Sequence, residues 1–126
     1  MCYERFFLTN CHNPTMALVA FGGVLGSLFR YLLNELLGSD QYGILAANVI
    51  GVAVAGFAVV YCANHGNANL RHFLLPGFCG GLTTFSSAML LTHQVGFIYL
   101  VETVILSFVV IAVSIPMARK IFENQL

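Results

Sequence analysis

An all-α integral membrane fold, with four transmembrane helices and a break in the third, follows from three features of this chain. Hydrophobic residues fill 59% of its 126 positions and charged residues only 8%, against about a quarter charged in ordinary soluble domains; mean hydropathy is +0.86. Four stretches are each long enough to cross a bilayer core, which takes roughly 20 apolar residues as a helix. They are Thr15 to Leu37, Gly43 to Asn64, Leu70 to His93 and Phe97 to Arg119. The third holds Gly77-Phe78-Cys79-Gly80-Gly81-Leu82-Thr83-Thr84-Phe85-Ser86-Ser87 at its centre. Irregular backbone persists at membrane depth only where protein buries it or where it lines a polar path. Residues 1–126 are therefore read as one four-helix transmembrane domain, with the third helix broken near 77–85.

The residues ahead of the first stretch, among them Glu4, Arg5, Asn10, His12 and Pro14, look like the charged start of a signal peptide. The apolar run that follows is too long and is interrupted by Gly22, Gly23, Gly26 and Arg30, so it reads as a spanning helix opened by Pro14 and Thr15. Arg30 either snorkels its long side chain to the membrane boundary or faces an anion at a vestibule. Small residues recur as Gly22-x-x-x-Gly26 in the first stretch and Ala47-x-x-x-Gly51-x-x-x-Ala55 in the second, the pattern that lets helices pack closely in lipid.

Asn48, near the start of the second stretch, donates two hydrogen bonds without carrying charge. It serves either an interhelical bond or a small anion that must also leave. In the third stretch Gly77, Gly80 and Gly81 permit unwinding, and carbonyls freed at a discontinuous helix suit a small cation. Thr83, Thr84, Ser86 and Ser87 supply hydroxyls beside Phe85, whose ring edge is electropositive and suits a small anion. Glu102 falls in the first turns of the fourth stretch, where an acid is favourable, and reads as structural. Thr103, Ser107 and Ser114 form a hydroxyl stripe, although each can also bond the carbonyl four residues back.

Connections are short, so neighbouring helices run antiparallel and both termini share a face. That face holds Arg5, Arg71, Arg119 and Lys120, while the opposite loops hold no lysine or arginine and lie near Glu35 and Asp40. The positive-inside rule then places both termini in the cytoplasm, with the chain multi-pass in the cell membrane. Four helices leave little interior volume, so an ion route at a subunit interface, and hence a dimer, is expected. Cys2, Cys11, Cys62 and Cys79 have no C-x-x-C spacing, and a metal site from Cys2, Cys11 and His12 would depart from zinc spacings. No nucleophile with its base, cofactor loop or metal-ligand set marks an enzyme. Lipid is the surrounding partner, and no nucleic-acid partner is expected.

Three runs together resemble the CrcB/Fluc fluoride channel family: Gly22-Gly23-Val24-Leu25-Gly26-Ser27-Leu28-Phe29-Arg30-Tyr31, Ala47-Asn48-Val49-Ile50-Gly51, and Gly77 to Ser87. The resemblance covers nearly the whole chain. It implies an antiparallel, dual-topology-type dimer with two pathways that export fluoride passively, and a structural sodium ion (Na+) at the dimer centre. Carried over by position, main-chain carbonyls of Gly80 and Thr83 would hold the sodium. Asn48, Phe85, Ser86, Ser87 and Arg30 would serve the anion pathway. Two departures follow the third run: where the family pattern has a second phenylalanine this chain has Ala88, and where many members have an acid it has Leu91. Each family pathway takes its two phenylalanines from different subunits, so a homodimer would have incomplete rings in both pores. The one-sided charge bias also favours a single orientation. Both features predict a heterodimer with a homologous chain inserted the other way.

Two other classes compete with a channel. A small four-helix proton-coupled multidrug exporter needs an acid at membrane depth, and the first stretch has none before Glu35. A non-transporting membrane assembly subunit would use its polar groups for packing alone.

Overall fold

The computed structural model describes residues 14–123; Cys2, Glu4, Arg5, Asn10, Cys11 and His12 lie outside them. Four apolar helical spans, Pro14–Leu37, Asp40–His65, Ala68–Val95 and Phe97–Phe122, are each long enough to cross a membrane, and all described regular structure is helical. The chain is a multi-pass membrane protein. Successive spans alternate in direction through connections of one or two residues, because each turn has dedicated chemistry. Helix α1 (Pro14–Leu37) ends at Gly38, whose φ of 61° allows its N–H to reach the Asn34 carbonyl at 3.1 Å. Left-handed Gly66 (φ 63°) likewise caps α2 (Asp40–His65) by donating to the Cys62 carbonyl. Such conformations are cheap only without a Cβ.

The third span is composite. Helix α3 (Ala68–His72) starts where the Asn67 side chain accepts the Leu70 N–H. It passes into a π-helix, π1 (Phe73–Cys79), that contains Pro76. Proline has no N–H for the carbonyl four residues back and its ring presses on that carbonyl; the wider π turn relieves the conflict. One short turn, α4 (Gly80–Leu82), follows. Thr83 (φ −78°, ψ 147°) and Thr84 (φ −147°, ψ 118°) are extended, and α5 (Phe85–Val95) resumes the helix. Helix α6 (Phe97–Glu123) completes the chain.

The interruption therefore falls at two threonines, and the expectation that Gly77, Gly80 and Gly81 unwind is corrected. Gly80 has helical angles (φ −64°, ψ −35°), and none of the three has a positive φ. Gly77 and Gly81 serve close approach to α1, whereas exposed Gly80 has no atom of α1 within 4 Å of a Cβ. A Cβ on Gly81 would fall on the Gly23 carbonyl oxygen, one on Gly26 on the Phe78 carbonyl oxygen, and one on Gly22 on the Phe73 carbonyl oxygen. Backbone meets backbone along this seam, the geometry that small residues permit in lipid.

Helix α2 is central: 44% of its apolar window is buried, against 11% for α1 and 17% for α6. It packs on α6, α1 and the third span. The other helices present large apolar side chains outward, including Phe21, Phe85, Phe97, Ile98 and Phe108, as a surface facing lipid or another subunit requires.

Candidate functional site

The extended pair Thr83-Thr84 lies against Asn48 of α2. The Asn48 side chain is 8% exposed, accepts the Thr84 N–H on Oδ1 at 2.8 Å and donates from Nδ2 to the Thr84 carbonyl at 3.4 Å. One side-chain amide thus satisfies both backbone groups of a stretched residue, which a dry interior demands. A carboxamide has two N–H donors, so one remains for another acceptor.

Thr84 also caps α5. Its Oγ1 accepts the Ser87 N–H at 3.3 Å and donates to Ser87 Oγ at 3.1 Å, with Ser86 Oγ 3.3 Å away. A threonine before a helix satisfying an N–H three residues on is the usual N-cap arrangement. Three hydroxyls therefore cluster at the positive end of α5. Thr83 hooks backward instead, its N–H and Oγ1 both donating to the Cys79 carbonyl at 2.9 Å.

In a continuous helix Thr84 N–H would serve the Gly80 carbonyl and Ser87 N–H the Thr83 carbonyl. Both donors go elsewhere, to Asn48 and to Thr84 Oγ1. The break takes the helical donors from all four carbonyls from Gly80 to Thr83, and the two named for sodium are among them. Neutral oxygens suit a hard cation, so the donor chemistry fits the ion. Among the described residues no three His, Cys, Asp or Glu side chains converge to hold a metal in another way.

Beside the break runs a groove of about 400 Å³ between α2 and α6, lined by Asn48, Thr83, Thr84, Phe85, Ala88, Thr103 and Ser107, with Val52, Leu100, Val104, Phe108 and Ile111 as apolar wall. The Phe85 ring is 73% exposed. Ala88 is 3% exposed and packs with Ile44, Leu91 and Tyr99. Thr103 and Ser107 face the groove, but their hydroxyls donate to the carbonyls of Tyr99 and Thr103 at 2.8 and 2.7 Å. They present lone pairs until those hydroxyls rotate. Ser114 is buried against Gly56 instead, so the expected stripe is divided.

The structure gathers Asn48, Thr83 and Phe85 in one groove and joins Ser86 and Ser87 to it through Thr84. Half-buried Arg30 and exposed Gly80 are not among the groove's lining residues. Ser27, one turn before Arg30, reaches the third span by donating to the Gly81 carbonyl at 3.4 Å. Sequence reasoning missed Thr84 as the central residue, although a threonine three places before Ser87 is an N-cap signal. The groove wall had no sequence signal of its own, being ordinary apolar membrane helix.

Residues 17–115 match the family described as CrcB-like protein, Camphor Resistance (CrcB). The chain belongs to the CrcB family. It is 33% identical over 123 residues to a protein of Hahella chejuensis, the match covering 86% of this chain and 97% of the relative. For an Agrobacterium fabrum protein the figures are 34% over 122 residues, with 85% and 98% covered. A Caulobacter protein is 36% identical over 124 residues, with 86% and 97% covered. All three relatives carry the name Fluoride-specific ion channel FluC. The family is one of ion channels, and its members are not enzymes.

Proposed function

We propose that this chain is a subunit of a fluoride-selective channel that lets fluoride leave the cell passively. The observation that carries the reading is the groove at the break. There a spare Asn48 N–H and the Phe85 ring edge border an open groove, and the Ser86 and Ser87 hydroxyls join it through Thr84 Oγ1. Fluoride is small and strongly hydrated, and neutral donors replace its water without trapping it as a fixed cation would. Names shared by relatives aligned along nearly their whole length support the same ion.

In this reading sodium is structural, held by the Gly80 and Thr83 main-chain carbonyls, and is not transported. Arg30 acts at the vestibule, drawing anions toward the mouth. The subunit works in a heterodimer with a homologous chain of opposite orientation, its own termini cytoplasmic. Helix α5 offers one exposed aromatic, Phe85, while Ala88 and Leu91 are packed into an apolar cluster with Ile44 and Tyr99. A partner bearing an aromatic at the position of Ala88 completes the ring pair. Arg71, Arg119 and Lys120 all favour one orientation of this chain.

The test is anion-selective efflux from liposomes, comparing fluoride with chloride, for this chain alone and co-expressed with a candidate partner. Co-expression is expected to give fluoride efflux that F85A abolishes. Robust efflux from the single chain would refute the heterodimer, and equal chloride flux would refute the selectivity.

A further inference from the structure

We infer that Asn48 is a positioning residue for the cation site as well as a donor in the groove: by taking the Thr84 N–H, it keeps the Gly80 carbonyl free for a cation. The clip itself stands on geometry; its consequence for sodium rests on the reading above.

The rung just before the break follows the α-helical pattern. Thr83 N–H reaches the Cys79 carbonyl at 2.9 Å, and the next rung would join Thr84 N–H to the Gly80 carbonyl. Asn48 Oδ1 stands in that carbonyl's place at 2.8 Å. The amide is fixed there by burial, by its second bond to the Thr84 carbonyl and by its rigid seat on α2 beside fully buried Ala47. Thr84 is stretched (φ −147°, ψ 118°) and paired on both backbone groups, as a strand residue is by a neighbouring strand. The break is therefore imposed from α2 and not by the glycines of the third span.

Asn48 also lines the groove, so one side chain borders the groove and holds the Thr84 backbone next to the cation carbonyls. Removing its oxygen returns the Thr84 N–H to Gly80 and withdraws a cation ligand. Binding free energies are reciprocal, so a cation that engages the Gly80 carbonyl in turn favours the clipped position of the amide.

The experiment uses the assembled full-length channel in nanodiscs, as native protein, N48A and N48D. It reads the sodium concentration giving half-maximal thermal stabilisation and the 13C resonance of the Gly80 carbonyl. N48A is expected to raise the half-maximal sodium concentration about two- to tenfold, the range one net hydrogen bond supports. Its Gly80 carbonyl resonance should move to a hydrogen-bonded position. N48D keeps an acceptor for the Thr84 N–H, so it should not raise the sodium requirement even where it changes anion flux. A native sodium requirement in N48A overturns the proposal. If the native channel shows no sodium-specific stabilisation, the sodium reading fails and the carbonyl signal alone decides: movement in N48A supports the clip, no movement overturns it. Should N48A fail to assemble, the native protein still decides. Without sodium its Gly80 carbonyl should be free of a hydrogen bond, and a bonded resonance overturns the inference.

Discussion

Gly51 is expected to be intolerant of a single methyl because of the methyl of Thr83, and the two costs should cancel in a double substitution. A Cβ at Gly51 would lie 2.5 Å from Thr83 Cγ2, with the Leu82 side chain at an ordinary 3.6 Å. Carbon atoms settle at about 3.5–4.0 Å, so Thr83 would have to retreat by roughly 1 Å. It has little freedom to do so: its N–H and Oγ1 are both tied to the Cys79 carbonyl at 2.9 Å, and a β-branched side chain is stiff at χ1. The displacement passes to the extended backbone of the break. G51A should therefore destabilise by about 1–3 kcal/mol, the usual cost of overpacking. T83S keeps the hydroxyl bond and deletes the methyl, for roughly 0.8 kcal/mol of lost burial. In the double variant the new methyl fills the space vacated by the old one, so G51A becomes nearly neutral and the coupling equals its single cost, about 1–3 kcal/mol. Unfolding of the purified channel by heat or detergent, followed by helical circular dichroism, measures all four proteins. G51A at native stability, or equally costly in the T83S background, would refute the reasoning.

Three other outcomes are expected, with stability read by the same unfolding assay and flux by anion efflux from liposomes. G26A drives a Cβ onto the Phe78 carbonyl oxygen and to 2.8 Å from the Leu82 nitrogen, whereas the nearest atom to a Cβ at Gly23 is 3.9 Å away; G26A should cost about 1–3 kcal/mol and G23A less than about 0.5, and equal effects would discredit the α1 seam. T84A removes the cap on Ser87 N–H at about 1 kcal/mol and lowers fluoride efflux, while T84S retains both. Y99F removes the bond from the buried phenol to the Gln41 carbonyl at 3.1 Å and should cost about 0.5–1.5 kcal/mol without changing selectivity; a change of selectivity would place Tyr99 in the pathway.

The spans were legible because long apolar runs leave one solution in lipid, a helix that satisfies its own backbone. Their ends were legible to within a few residues, since Gly38, Gly66 and Gly96 carry the positive φ values of the turns. The interruption of the third span was legible only as a region. Three glycines drew attention to themselves, yet Gly77 and Gly81 serve contact with α1, Gly80 is helical and exposed, and the extended residues are Thr83 and Thr84. A glycine permits either close approach or unwinding, and the local sequence does not distinguish them. Asn48 shows the same ambiguity: a carboxamide in a helix needs partners, and which partners depends on what faces it.

Composition and pattern by themselves determined a four-span membrane protein, its alternating directions, the surplus of cations at one end and a polar interruption in the third span. Those properties depend on the free energy of each segment in lipid and need no knowledge of neighbours. Only the tertiary structure decided where the interruption falls and what holds it open. The Thr84 N–H is claimed by Asn48, 36 residues away in sequence, and a hydrogen bond between two helices is a property of their packing.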